Sequence, residues 1–196
     1  MKNLLSVFLC IMISGGTAFA QKTDTPVKKN QFDVQNEFYV YYGIGSLYYY
    51  ISRNSNSGWS YTTYGSFIVG YTRSLNKVIG VGFELAYTPI SRTYNLSTSS
   101  NQSTYYNYIQ ALARIRFQYL NRPAFGMYSG IAIGVTMDYY SETSSSGVTT
   151  NKQDLLPAGQ LALLGFRVGR GAAFSGEFGI GTLSILNIGF SYKFGQ

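Results

Sequence analysis

The chain has 196 residues, a formal net charge of +7, 12% charged and 17% aromatic residues, with 19 tyrosines and 22 glycines. The charged share is about half that of an ordinary soluble domain, and the composition suits neither a disordered tail nor a helical bundle. There is no histidine and one cysteine, which excludes Ser-His-Asp and Cys-His nucleophiles and nearly all zinc sites.

Met1, Lys2 and Asn3 form a short positive start, Leu4 to Ile13 is an apolar run, and the stretch to Ala20 is rich in small residues and ends Ala18-Phe19-Ala20. This is the pattern of a secretory signal, residues 1–20, cleaved after Ala20. The apolar run falls short of the ~20 residues a membrane-spanning helix needs. Cys10 lies within the signal, behind the bulky Val7, Phe8 and Leu9, and is not placed as a lipoprotein cysteine. The mature chain then has no thiol, and loss of Lys2 lowers the formal charge from +7 to +6. The remaining basic residues are scattered, with no basic helix or nucleic-acid motif, so no nucleic acid is expected as a partner.

Residues 21–35 are polar and read as a flexible periplasmic lead. From residue 36 to 194 the period is that of strands, not helices. Eight runs are expected, at about 36–51, 61–73, 78–90, 104–120, 124–140, 155–168, 172–181 and 185–194. The links after the first, third and fifth runs (53–60, 91–103, 141–154) are long and polar. Those after the second, fourth and sixth (74–77, 121–123, 169–171) are tight turns. Alternating long and short links place the long ones at one end of an up-and-down meander. Outer-membrane barrels have this asymmetry, with external loops longer than periplasmic turns.

The expected fold is therefore all-β, an eight-stranded antiparallel transmembrane barrel. The two faces of each run differ. Ile109, Ala111, Ala113, Ile115, Phe117 and Tyr119 oppose Gln110, Leu112, Arg114, Arg116 and Gln118. In lipid every backbone polar group must be paired, so the sheet closes with its apolar face outward. The narrow lumen holds small residues such as Gly43, Gly80, Gly82, Gly130 and Gly134, together with charges of both signs. Glu84, Glu177 and Glu37 oppose Arg114, Arg116 and Arg167, and a charge out of water must be paired. These residues are expected to form an ion-pair network that plugs the barrel. Arg167 shares a face with Leu161 and Leu163 by simple alternation, so that run is expected to carry a bulge. Two aromatic belts are expected at the membrane interfaces. One holds Tyr48, Tyr49, Tyr50, Tyr61, Tyr64, Tyr87, Tyr105, Tyr106, Tyr139 and Tyr140, and the other Phe38, Tyr71, Phe117, Tyr119, Phe125, Phe166, Phe174, Tyr192 and Phe194.

The last run, Asn187-Ile188-Gly189-Phe190-Ser191-Tyr192-Lys193-Phe194, resembles the C-terminal β-signal of outer-membrane barrels, although Gly195 and Gln196 follow the terminal aromatic. With the N-terminal signal, the chain resembles small outer membrane β-barrel proteins of the OmpX/OmpA-barrel type, common among Bacteroidetes. The resemblance covers nearly all of 36–194. It implies residence among outer membrane lipid and lipopolysaccharide. It also implies hand-over to the Bam assembly machinery through Asn187, Gly189, Tyr192 and Phe194.

No chemistry stands out. Glu84 and Glu177 could form a paired-carboxylate site, but three arginines share their face. Gly43-Ile44-Gly45 and Gly80-Val81-Gly82 lack the helix a dinucleotide site needs. The expectation is a non-enzymatic barrel with no catalytic residue, cofactor or metal, presenting its long loops to an unidentified external partner. A narrow pore for ions or small solutes and a soluble, lipocalin-like ligand-binding barrel are the alternatives.

Overall fold

The computed structural model describes residues 35–48, 50, 59–95, 101–122, 124–143 and 149–194. The signal expected at 1–20 and the lead expected from residue 21 fall on residues up to 34 that lie outside the described residues. Nine strands follow in chain order: β1 (Asn36–Ile44), β2 (Trp59–Thr63), β3 (Ser66–Ser74), β4 (Ile79–Asn95), β5 (Asn101–Asn121), β6 (Phe125–Thr143), β7 (Thr149–Val168), β8 (Ala172–Gly181) and β9 (Leu186–Phe194). All pairings are antiparallel. They run β1-β3-β4-β5-β6-β7-β8-β9, and β9 pairs back with β1 to close the ring. The short β2 adds to the far end of β4 beside β3.

The ring has eight members because β2 and β3 are one interrupted run. Between the pairs Thr63–Ile90 and Phe67–Tyr87, Tyr64, Gly65 and Ser66 oppose only Thr88 and Pro89. Gly65 takes φ +80° there, a conformation that costs glycine little, and Pro89 has no N–H to lose from the ladder. At the opposite end the β3–β4 turn is pinned by Asn76, whose Oδ1 accepts from the Val78 and Ile79 amides at 2.8 and 2.7 Å. Such local side-chain capture is why Asn favours turns.

Orientation follows the alternation. Ile115, Phe117 and Phe190 are 43%, 42% and 71% exposed, whereas Arg114 and Glu84 are 3% and 1% exposed. The expected bulge is present, because β7 shifts register between Ala162 and Leu164 against β8. The extra residue lets Leu161 and Leu164 both face out while Arg167 turns in.

Two expectations are corrected. The links at 91–103 and 141–154 are mostly strand: β4 runs to Asn95 and pairs with β5 from Asn101, and β6 runs to Thr143 opposite Thr149 of β7. Their Ser, Thr, Tyr and Asn residues are polar enough to read as loop, yet Thr and Tyr favour strands and each segment has a paired partner. The links that remain, 96–100 and 144–148, lie outside the described residues. Strand lengths are accordingly uneven. β1, β3, β8 and β9 have 9, 9, 10 and 9 residues, whereas β4 to β7 have 17, 21, 19 and 20. One side of the wall therefore rises beyond the other as a sheet.

The second correction concerns tyrosines. Tyr64, Tyr87, Tyr105 and Tyr139 face outward, but Tyr106 and Tyr140 share the inner face of the raised sheet. They stack with ring centroids 5.5 Å apart. Tyr48 stacks on Tyr108 at 4.7 Å.

Candidate functional site

The lumen is built in three levels. Nearest the short turns, Glu37 of β1 meets Arg116 of β5 and Arg167 of β7. Arg116 Nη1 donates to Glu37 Oε2 at 2.7 Å, and Arg167 Nε lies 3.3 Å from Glu37 Oε1. Arg167 also donates to Ser191 Oγ at 3.1 Å and to the carbonyls of Gly169 and Gly171 at 2.8 and 2.6 Å. One guanidinium thus ties the β7–β8 turn to the barrel interior, as a planar five-donor fork allows.

At mid-barrel, Arg114 of β5 reaches Glu84 of β4 with Nη1 and Glu177 of β8 with Nη2. The neighbouring strand β4 and the distant strand β8 are thus joined through one side chain. Tyr39 and Tyr128 supply a second donor to each carboxylate, at 2.9 Å to Glu84 Oε1 and 2.8 Å to Glu177 Oε1. Tyr41 and Tyr128 hydroxyls are 3.2 Å apart, and the Arg116 guanidinium lies over the Tyr128 ring at 4.0 Å, within cation–π range. Two glycines make room for these rings. A Cβ on Gly70 would run into Tyr39, which it pairs with across β1–β3, and one on Gly165 would run into Tyr128 across β6–β7.

The upper level is closed by the chain itself. The β8–β9 connection, Thr182 to Ile185, tucks into the barrel, and Leu183 and Ser184 are fully buried. Its carbonyls are taken up by the wall. Ser46 Oγ donates to Thr182 O at 2.6 Å, Ser66 Oγ to Leu183 O at 2.7 Å and Gln160 Nε2 to Ser184 O at 2.7 Å. Buried carbonyls away from water need such partners. Beneath the connection Leu183 joins a small apolar cluster with Ile68, Ala86, Leu112, Ala132 and Ala158.

All five lumen residues singled out from the sequence, Glu84, Glu177, Arg114, Arg116 and Arg167, lie inside, with Glu37. They divide into two groups: Arg114 with Glu84 and Glu177, and Glu37 with Arg116 and Arg167. Together the two groups hold three carboxylates and three guanidiniums. Sequence reasoning missed the interior tyrosines, although the alternation signal was available for Tyr39 and Tyr41, which share the parity of Glu37. It also missed the inserted connection, whose short Thr182-Leu183-Ser184-Ile185 stretch reads as an ordinary link. Of the C-terminal motif, Asn187 is buried, Gly189 sits where a Cβ would strike the Val40 carbonyl, and Tyr192 and Phe194 are exposed and stacked at 6.2 Å. No group of three or more metal-ligating side chains occurs among the described residues.

Just above the apolar band, Asp138 of β6 stands directly opposite Asp154 of β7. Burial, reinforced by the Asp154 charge, pushes the Asp138 carboxyl up to about 6.

No family model and no curated protein matches the chain. Solved structures similar to it include Ail, the attachment invasion locus protein of Yersinia pestis. It is 13% identical over 84% of this chain and 100% of that one, with TM-scores of 0.48 in one crystal structure and 0.47 in another, a complex with the heparin analogue sucrose octasulfate. The N-terminal β-barrel domain of Pseudomonas aeruginosa OprF is 10% identical over 84% of this chain and 100% of that one, with a TM-score of 0.40.

Proposed function

We propose that the chain is an integral outer-membrane barrel with a plugged lumen, acting as a rigid, non-enzymatic platform that carries a raised sheet outside the cell. One observation carries this reading: the barrel is inside out. Side chains such as Phe67, Phe83, Ile131, Ile133, Leu161, Phe178 and Phe190 face outward around the ring while its buried charges face inward. A soluble barrel exposing that surface would aggregate. Hydrocarbon solvates it, and a closed ring leaves no unpaired strand edge within it. The external side is assigned to the end where β4 to β7 extend, because external connections of such barrels are the longer ones.

Against the pore reading stand two closures in series, the ion-paired side chains and the buried connection at Thr182–Ile185. Against a ligand-carrying barrel stands the lumen itself, filled by its own arginines and tyrosines, as expected for eight strands. The lack of histidine supports a non-enzymatic role. The exposed aromatics Tyr192 and Phe194 at the end of β9 support recognition by the assembly machinery.

Cell fractionation with a heat-modifiability gel tests the membrane reading: the protein should stay with membranes without detergent and migrate faster unheated than heated. Release into the soluble fraction refutes it. In a planar bilayer the folded protein should show no steady conductance. Stable single-channel steps would replace the plug with a narrow pore.

A further inference from the structure

Surface charge is unevenly placed along the barrel axis. The carboxylates of the described residues lie either inside, as Glu37, Glu84 and Glu177, or on the raised sheet, as Asp138, Glu142 and Asp154. Among the described residues the short-turn end has none on its surface. Yet each of its three turns carries one exposed cation: Lys77 between β3 and β4, Arg122 between β5 and β6, and Arg170 between β7 and β8. Arg73, also exposed, adds a fourth on the outer face of β3. The ion pairs found among the described residues engage Arg114, Arg116 and Arg167 instead. Like charges gathered on one rim repel one another, and an anionic partner relieves that repulsion.

The surroundings of these cations define the kind of anion. Each arginine follows an outward aromatic within four residues: Tyr71 before Arg73, Tyr119 before Arg122 and Phe166 before Arg170. Tyr71 packs against Phe83 and Phe194 at 5.8 and 6.5 Å, in the kind of belt that sits at a membrane interface. Arg73 stands two residues, about 7 Å, further along the strand. Lys77 sits between Leu75 and Val78, which are 55% and 53% exposed. At the edge of a bilayer those two side chains enter hydrocarbon, while the cations on their long stems reach outward to the headgroups. We propose that this rim is a collar for the anionic phospholipid headgroups of the leaflet at the turn end. The headgroup phosphates accept from Lys77 and the three arginines, whose forks each match two phosphate oxygens. A soluble polyanion would meet the charges but leave Leu75 and Val78 in water. The collar rests on the membrane reading above.

The test uses the folded full-length barrel in uncharged maltoside micelles, followed by amide NMR during titration with phosphatidylglycerol and, separately, with zwitterionic phosphatidylcholine. Phosphatidylglycerol should shift the amides of 73–78, 121–122 and 169–171 at lower concentration than phosphatidylcholine does, with the raised sheet unmoved. A basic residue held near an anionic lipid surface contributes about five-fold in affinity. Arg170→Gln should therefore weaken the response of its own turn about five-fold and spare the turn at Lys77, which lies on the opposite side of the ring. Arg73→Gln combined with Lys77→Gln should do the reverse. In 1 M salt, where charges are screened beyond about 3 Å, the preference should vanish. The heat-modifiability gel verifies that each variant is folded. Equal response to the two lipids, the same response to soluble polyglutamate, or an unchanged response in folded Arg170→Gln overturns the proposal. If the protein stays with membranes but its turns do not respond, the collar alone falls. Release into the soluble fraction removes the membrane reading and the collar with it.

Discussion

Arg114 is the most exposed point of the interior design, in the energetic sense. It is the shared partner of Glu84 and Glu177, and all three side chains are at most 2% accessible. Replacement by Met keeps the length and apolar stem but strands two carboxylates. Removing one partner of a buried ion pair costs about 3–5 kcal/mol, because the remaining charge is left uncompensated. Two stranded carboxylates could double that figure, but each keeps a tyrosine hydroxyl donor, Tyr39 or Tyr128. A hydrogen bond to a charged group is worth about 1.5–3 kcal/mol. The single-pair range of about 3–5 kcal/mol is therefore the expected destabilisation of Arg114→Met. The triple variant Arg114→Met, Glu84→Gln, Glu177→Gln removes every charge of the group while keeping acceptors for both tyrosines. It should return to within about 1–2 kcal/mol of the wild type, as neutral replacements of buried ion groups commonly do. Urea unfolding in lipid vesicles, read from the fraction of heat-modifiable band, measures both. A single variant within about 1 kcal/mol of wild type, or a triple variant as weak as the single one, would falsify the account of the lumen as a coupled charge network.

Three further outcomes are expected. Phe194→Ala should lower the amount of folded, heat-modifiable barrel in cells, and an unaltered amount removes the assembly role of the last strand. Asp138 gives a pH dependence. Its carboxyl is held at about 6 in the fold against about 3.9 in an unfolded chain, so the folded form binds the proton more tightly. Stability should fall as pH rises from about 4 through about 6; Asp138→Asn should abolish that slope in a melting-temperature series, and an unchanged slope refutes the assignment. Gly165→Ala should destabilise by about 1–3 kcal/mol by driving a methyl into the Tyr128 ring. Gly171→Ala, whose Cβ would meet only the Tyr192 ring at 3.7 Å, should be nearly neutral, so equal effects of the two in urea unfolding would contradict the packing of Tyr128 on Gly165.

The barrel was legible in the sequence because a period of two is a local property. Ile109 to Tyr119 alternates without interruption, and each residue of that run lies on the face its parity assigns. The failure of parity at Leu163 also announced itself: Arg167 could not be interior with Leu161 outward unless a residue were inserted. Alternation also placed the five lumen charges on one side. It could not say which arginine meets which carboxylate, since Arg114–Glu177 is a contact across 63 residues of chain fixed by barrel diameter and register. Strand ends were misplaced for a different reason. Thr93, Ser103, Ser141 and Asn151 have turn-like composition, and only their partners across the sheet make them strand. The inserted connection was invisible because insertion depends on distant donors: Ser46, Ser66, Gln160 and Gln110, whose amide also donates to Thr182 O at 3.3 Å, each read as unremarkable polar positions.

Those donors also indicate where the specificity of this fold resides. Its outer face rejects a slip of one residue, which would turn Ile115 and Phe117 inward, but is as content against lipid after a slip of two, so it selects the register only in part. The interior apolar cluster is small, with three alanines among its members. What distinguishes the native register is the polar interior, where a slip of one residue would send Arg114, Arg116 and Gln110 outward and leave Glu84 and Glu177 without partners. A half-satisfied polar network is worse than none, which makes misregistered barrels costly. The same logic explains why the tyrosines lie on glycines. A ring laid flat over Gly70 or Gly165 is possible only when those exact residues face each other, so the packing reads the register as strictly as the ion pairs do.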